Sequence, residues 1–382
     1  MKIAIAKEIQ VDERRVALIP DVVARLVKQG INIGVEAGAG ERAFLSDATY
    51  EEAGATIYTD AAALRQEADI VLKVSPVEPH EVDQLRPGSI LISFLNPLGQ
   101  PELIQKLAER QITAFSMEMI PRTSRAQSMD ALSSQANIAG YKAVLIAASA
   151  LPKYFPMLTT AAGTIRPAKV LVMGAGVAGL QAIATARRLG AVVEAFDIRP
   201  EVKEQVQSLG ARFVDVSLDE DTVAEGGYAK EISEQAKQHT REVLTKHVAA
   251  SDVVITTAQV PGKKAPLLVT EAMIAQMQPG SVIVDLAAPQ GGNCEGTEAG
   301  KDVVKQGVTM IGPMNLPSSM PVHASEVYGK NLQALLKLMT TKEGELQLDF
   351  EDDIISGACV THEGEIRSQR VKEALGMTVS QA

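Results

Sequence analysis

The stretch AKVLVMGAGVAGLQAIATARRLGAVVEAFD, residues 168–197, decides how the rest of the chain is read. Residues 170–173 are a short apolar run of buried-strand type, Gly174, Gly176 and Gly179 form G-x-G-x-x-G, and residues 177–189 are rich in alanine and read as a helix. A second apolar run ends in Asp197, eighteen residues beyond Gly179. Strand, glycine turn, helix, strand and acid thus follow one another in a single βαβ unit.

Each part of that unit has a physical task. Gly174 permits a tight turn, Gly176 lets the backbone come close to a pyrophosphate, and Gly179 lets the helix pack closely on the strand. Phosphates then meet free N–H groups and the positive end of the helix dipole. Asp197 is placed to accept hydrogen bonds from an adenosine ribose, and its charge would repel a 2′-phosphate. The expected dinucleotide is therefore NAD(H) rather than NADP(H). Val177 and Ala178 within the turn, Ile198 and Arg199 just beyond the acid, and Thr257 and Ala258 in TTAQ are further expected cofactor contacts.

Length and composition bound the remainder. A chain of 382 residues with 46% apolar residues is globular and has room for roughly two to three domains. A net charge of −10 and a pI near 5.2 argue against a nucleic-acid surface or an anionic-membrane surface, both of which need basic patches. Cys294 and Cys359 are the only cysteines and lie far apart, as suits a reduced cytosolic environment. The five histidines are scattered, and no metal site is expected. The opening MKIAIAKE has no signal-type apolar region, and no apolar run approaches the roughly 20 residues needed to span a bilayer. On this reading the chain is soluble.

Strand and helix alternate through the first 120 residues, with strands at 2–6, 32–36, 70–74, 90–94 and 112–116 and helices at 20–29, 49–53 and 61–67. From 122 to about 151 a long helical region follows, polar first and then apolar, with a bend expected near Gly140. The glycine-motif domain continues with strands near 170, 192, 212–216, 252–257, 281–286 and 308–311. After it comes the amphipathic helix HASEVYGKNLQALLKLM at 323–339. The fold class expected is α/β, with two doubly wound parallel-sheet domains joined by long helices, the second a Rossmann NAD-binding domain. The domains expected are 1–125 with 325–382, a linking region 126–160, and 161–324. The acidic loop SLDEDTVAEGGYAKE at 217–231, carrying Tyr228, reads either as a solvated connection or as a mobile lid over the nucleotide.

Residues 122–141, GAGVAGLQAIATARRLGA at 174–191, GGYAKE at 226–231, TTAQVPGKKAP at 256–266 and VDLAAPQGGNCE at 284–295 together carry a wider resemblance. The chain resembles the NAD(H)-binding component of proton-translocating nicotinamide nucleotide transhydrogenase, a relative of alanine dehydrogenase. The resemblance runs from KIAIAKE and RRVALIP near the start to GACV at 357–360, nearly the whole chain.

The two relatives differ in chemistry. Oxidative deamination of alanine needs groups that hold a carboxylate and move protons. Alanine dehydrogenases resemble this chain at Arg15 and Lys73, which match their substrate-binding pair. They carry a catalytic histidine where this chain has Asn96 and a catalytic aspartate where it has Pro289. Neither asparagine nor proline relays a proton at neutral pH. Hydride transfer between two nicotinamides needs neither acid nor base. In the transhydrogenase family an arginine, a glutamine, an aspartate and a serine surround the reacting nicotinamide, and the resemblance places them at Arg122, Gln127, Asp130 and Ser133. Their spacing puts Gln127, Asp130 and Ser133 on one face of a helix, or else makes them a helix-cap cluster. The resemblance also implies that Tyr228 lies in a loop closing over nucleotide.

Only one dinucleotide fingerprint is present, so NADP(H) is expected on a partner. The resemblance implies a homodimer that docks with an NADP(H)-binding subunit and a membrane proton-channel subunit. It would then be cytoplasmic, held at the cytoplasmic face of the inner membrane through those partners. An alanine dehydrogenase-like oxidoreductase and a non-catalytic NAD(H)-sensing module are the alternatives.

Overall fold

A computed structural model describes residues 1–216, 233–260, 262–341 and 343–377. The chain divides into two compact units, Met1–Gln135 with Ser318–Ala382, and Ala136–Pro317. In the first unit the strands β1 (Lys2–Ile5), β2 (Asn32–Glu36), β3 (Thr56–Tyr58), β4 (Ile70–Leu72), β5 (Ile90–Ser93) and β6 (Thr113–Ser116) lie in the order β3-β2-β1-β4-β5-β6. All these pairings are parallel. Because side chains alternate across a strand, Ile3 and Ile5 enter one core while Ala4 enters another on the opposite face. Both faces being apolar, these strands read as near-continuous hydrophobic runs. The short strand β3 and the helix Pro101–Glu109 are elements that the periodicity reading passed over. That helix nevertheless carries proline in its first turn and buries Leu103, Ile104, Leu107 and Ala108 at helical spacing.

The second unit opens with a feature absent from the sequence reading, an antiparallel hairpin of β7 (Leu158–Thr160) and β8 (Gly163–Ile165). Its sheet follows with β9 (Lys169–Met173), β10 (Val192–Phe196), β11 (Arg212–Phe213), β12 (Val253–Thr256), β13 (Val282–Asp285), β14 (Asp302–Lys305) and β15 (Val308–Ile311). The order is β11-β10-β9-β12-β13-β15-β14. Apart from β14, which runs antiparallel to β15, this is the same winding as the first sheet, reversing direction on either side of its first strand. Val170 and Val172 face one core and Leu171 and Met173 the other.

The chain then returns to the first unit. The helix Pro321–Met339 buries Tyr328, Leu332, Leu335, Leu336 and Met339 in the core that also holds Ile3 and Ile5. After it β16 (Cys359–His362) joins β6 antiparallel, and β17 (Glu365–Ile366) extends the edge. Each sheet is therefore parallel within and antiparallel at one edge.

The segment 126–160 does not stand apart as a linking region. The twenty-residue helix Ala131–Ala150 contains the unit boundary, which falls after Gln135. Its first turn is bonded inside the first unit, Ser134 Oγ to Asn331 Oδ1 at 2.7 Å and Gln135 Nε2 to the Ala324 carbonyl at 3.0 Å. Further on, Ala143, Val144 and Ala147 belong to a core of the second unit. The helix is continuous through Gly140, whose missing side chain serves a close packing contact described below.

Charged groups are buried at the carboxyl ends of β1 and β4. Glu8, 4% exposed, accepts the backbone N–H groups of Val74 at 2.6 Å and Ser75 at 3.3 Å. Burial pushes its carboxyl up to about 7, against the opposing pull of the Lys73 charge. A carboxyl with a raised folded-state pKa binds its proton more tightly in the folded than in the unfolded chain. Stability from this group is thus full below its ordinary value of 4.5 and is lost as pH rises from there through about 7. The melting temperature of Glu8→Gln should therefore gain on the wild type as pH increases from about 5 to about 8. A difference that stays constant over that range would remove Glu8 from the pH dependence.

Candidate functional site

The turn after β9 has the geometry that a bound pyrophosphate requires. Gly174 adopts φ +101°, in the left-handed region, and its N–H donates to the Phe196 carbonyl at 2.8 Å. Gly176 is the N-cap of the helix Val177–Arg188, and it has no side chain to cap the free amides of the first turn. A Cβ on Gly176 would meet nothing within 4 Å among the described residues, so the space above the helix start is open. Gly179 is different, since a Cβ there would stand 1.8 Å from the Gly174 carbonyl oxygen. Gly140 bears on the same point: a Cβ on it would stand 2.0 Å from the Ala178 carbonyl oxygen. Open space over uncapped amides, clamped from behind by two close backbone contacts, fits a dinucleotide phosphate.

Most of the other expected contacts of this unit gather around the turn. Thr257 Oγ1 donates to the Gly174 carbonyl at 3.0 Å, and Asp197 Oδ2 accepts the Ala175 N–H at 2.7 Å. Val177 is exposed, and Ala178, Ile198 and Ala258 are half-buried. Tyr228 and the rest of the 217–231 loop lie outside the described residues.

Asp197 departs from the sequence expectation. Its Oδ1 accepts the Arg199 N–H and Nε, each at 2.9 Å, and its Oδ2 accepts Arg199 Nη2 at 2.8 Å. The carboxylate is thus paired rather than bare, and the pairing raises the affinity of the guanidinium for its proton. The two-residue spacing allows the Arg199 side chain to fold back over the acid. Discrimination against a 2′-phosphate consequently rests on an acid–arginine pair, and repulsion by a lone Asp197 is too simple an account.

Two residues of this unit that sequence reasoning did not single out organise the loops after β12 and β13. Asp285, 1% exposed, accepts from five donors among the described residues: Thr256 Oγ1, the N–H groups of Ala287, Asn293 and Cys294, and Thr297 Oγ1. Asn293 is fully buried and clasps Ala258 through both its N–H and its carbonyl, while also donating to the Pro266 carbonyl. An acid closing an apolar strand, followed by a glycine pair and asparagine, was the available signal.

In the first unit, the polar motif does not form one helical face. Residues Ser124–Met129 are a 3-10 helix, and the α-helix begins only at Ala131. Asp130 caps it, accepting the Ser133 N–H at 2.9 Å and Ser133 Oγ at 2.6 Å. Aspartate wins the cap position because its side chain satisfies an otherwise unpaired first-turn amide, and this breaks the helix register between Gln127 and Ser133. Asp130 and Ser133 are thereby locked together, while Arg122 and Gln127 are exposed.

Arg15 and Lys73 are not presented as a carboxylate-binding pair. Arg15, 8% exposed, grips Glu13 with Nε at 2.7 Å and Nη2 at 2.6 Å, and its Nη1 donates to Gln135 Oε1 at 2.8 Å. Lys73 donates to both Glu81 oxygens at 2.8 Å, and Arg65 reaches the same carboxylate at 3.1 Å. Asn96 sits in the left-handed region at φ +48° and gives its backbone N–H to Glu118 at 2.6 Å.

A glycine turn with an uncapped helix start, at the point where a doubly wound sheet reverses its strand order, defines a dinucleotide-binding α/β protein. The family models for the alanine dehydrogenase/PNT N-terminal and C-terminal domains match residues 4–139 and 143–369. The chain is 48% identical to the first polypeptide of NAD(P) transhydrogenase subunit alpha of Rhodospirillum rubrum, over 96% of this chain and 97% of that protein. It is 31% identical to the alanine dehydrogenase of Halomonas elongata, over 100% and 99% of the two chains. The crystal structure of transhydrogenase from Sinorhizobium meliloti superposes with a TM-score of 0.87 at 44% identity, covering 96% of this chain and 100% of that one. The chain belongs to the alanine dehydrogenase/PNT family. Among the described residues no helix is long and apolar enough to cross a membrane.

Gly176 and Gly179 separate binding from folding. Gly176→Ala should change stability by no more than ~0.5 kcal/mol, because its φ is ordinary and its surroundings are open. The same methyl should weaken NADH binding by roughly ten-fold or more, because it enters the phosphate space. Gly179→Ala should instead destabilise the fold by about 3 kcal/mol through overpacking against backbone. Thermal melting and calorimetric titration with NADH check both; an alanine at 176 that leaves NADH affinity untouched would place the phosphates elsewhere.

Proposed function

We propose that this chain is the NAD(H)-binding subunit of a proton-translocating NAD(P) transhydrogenase. It exchanges hydride between NAD(H) on its second unit and NADP(H) carried by a partner. The observation that carries the proposal is the open, uncapped glycine turn, in a chain whose transhydrogenase relative matches it at 48% identity over nearly its full length. Bound NAD(H) supplies the carbon that gives or takes the hydride. The protein's part is to hold, orient and exclude water. The amides following Gly176 hold the pyrophosphate, the Asp197–Arg199 pair meets the adenosine ribose, and Thr257 and Ala258 border the turn. Arg122, Gln127, Asp130 and Ser133 contact the reacting nicotinamide. The bond from Ser133 Oγ to Asp130 supports that role, because it fixes both side chains before any ligand arrives.

The partners in this reading are an NADP(H)-binding subunit and a membrane proton-channel subunit, with two copies of this chain forming a dimer. The chain is then cytoplasmic and peripheral, held at the inner membrane through those subunits. An alanine dehydrogenase activity is disfavoured by the engagement of Arg15 with Glu13 and of Lys73 with Glu81, which leaves neither cation for a substrate carboxylate. Asn96 and Pro289 add no proton relay.

Isotope transfer tests the proposal. With NADH deuterated at C4, the purified chain and an NADP(H)-binding partner, deuterium should appear in NADPH without exchange into water. The chain alone should form no NADH from alanine and NAD. Nucleotide binding without any hydride exchange would instead favour a sensing module, and steady alanine turnover would overturn the assignment of Asn96 and Pro289.

A further inference from the structure

One polar group in the loops after β12 and β13 has no use among the described residues. Gln290 ends the short 3-10 turn Ala288–Gln290 that follows β13. Its backbone is secured on both sides, with its N–H on the Ala287 carbonyl at 2.8 Å and its carbonyl accepting the Ala265 N–H at 2.9 Å. Gly291, at φ +93°, then turns the chain back toward Asn293, and Asp285 grips Ala287 and Asn293 together. The neighbouring side chains Thr256, Thr257, Gln259, Asn293 and Thr297 are all hydrogen-bonded. Gln290 Oε1 is buried and has no hydrogen-bond partner among the described residues. A buried amide atom without a partner is unfavourable, and native structures leave few of them. Turning the amide over would bury its nitrogen in the same position, so the unmet bond does not depend on which way it points.

The location suggests what meets it. In a sheet wound in this order, the pyrophosphate lies at the turn after the first strand, here β9, and the adenosine acid follows the second, β10. The other half of the dinucleotide then falls at the carboxyl ends of β12 and β13. We infer that the side-chain amide of Gln290 recognises the carboxamide of the nicotinamide, pairing one amide with another. This rests on the NAD(H) reading above and adds to it a residue selecting the nicotinamide half. The rigid Asp285–Asn293 frame makes the contact specific, because Gln290 is held in place before the ligand binds.

Three ligands test this with Gln290→Leu, which keeps the bulk and removes the amide: NADH, ADP-ribose, which lacks the nicotinamide, and the NADH analogue bearing acetyl in place of carboxamide. Gln290→Leu should bind NADH roughly 10-fold to 30-fold more weakly while holding ADP-ribose within about two-fold of the wild type. The preference of the wild type for NADH over the acetyl analogue should disappear in the variant. Retained NADH affinity would overturn the inference, and so would a parallel loss for ADP-ribose, which would mark Gln290 as loop packing. Failure of the wild-type chain to bind NADH or ADP-ribose at all would sink the NAD(H) reading itself.

Discussion

Two backbone contacts with no room for a side chain govern the second unit. Gly179 brings the helix Val177–Arg188 against the Gly174 carbonyl, and Gly140 brings the helix Ala131–Ala150 against the Ala178 carbonyl. At these separations a methyl group would overlap backbone oxygen, and backbone has little freedom to move away. The first turn of the central helix is thus located from two directions, and its amides hold a set position. A helix start acts as an anion site only if its amides converge on one point, so these contacts are the precondition for everything assigned to the site.

Buried polar side chains then act as joints between loops. Asp285 collects five donors among the described residues and Asn293 spans two loops, while in the first unit Glu13, Arg15 and Gln135 close one cluster and Lys73, Glu81 and Arg65 another. Removing either partner of such a buried pair would leave an unpaired charge or donor, which costs far more than the pair contributes net. The same constraint bears on chemistry. Arg15 and Lys73 stand where alanine dehydrogenases bind substrate, yet here their charges are met by Glu13 and Glu81 from within the protein. A shared framework can therefore keep its cations and lose the reaction, because what matters is whether the cation is already satisfied.

Much of the fold was legible in local patterns. The glycine spacing, the alternating apolar faces of β1 and β9, and the register of α/β units all depend on residues a few positions apart, so periodicity reports them. The elements that escaped are those whose stability comes from distant partners. β16 is four residues long and is held by β6, and β14 pairs with β15 alone among the described strands. Neither has a strong pattern of its own. The Gln127, Asp130 and Ser133 spacing fits a helical face equally as well as a cap, and only the start of the α-helix at Ala131 distinguishes them.

By itself, the sequence determined the α/β class, the glycine turn and the acid that follows it, because glycine's missing side chain and aspartate's charge act at their own positions. The tertiary structure decided the rest. It paired Asp197 with Arg199, occupied Arg15 and Lys73, made Asp285 the centre of its loops and left the amide oxygen of Gln290 without a partner among the described residues. Whether a polar group is free or satisfied depends on which groups surround it in space, and those come from segments that are remote along the chain.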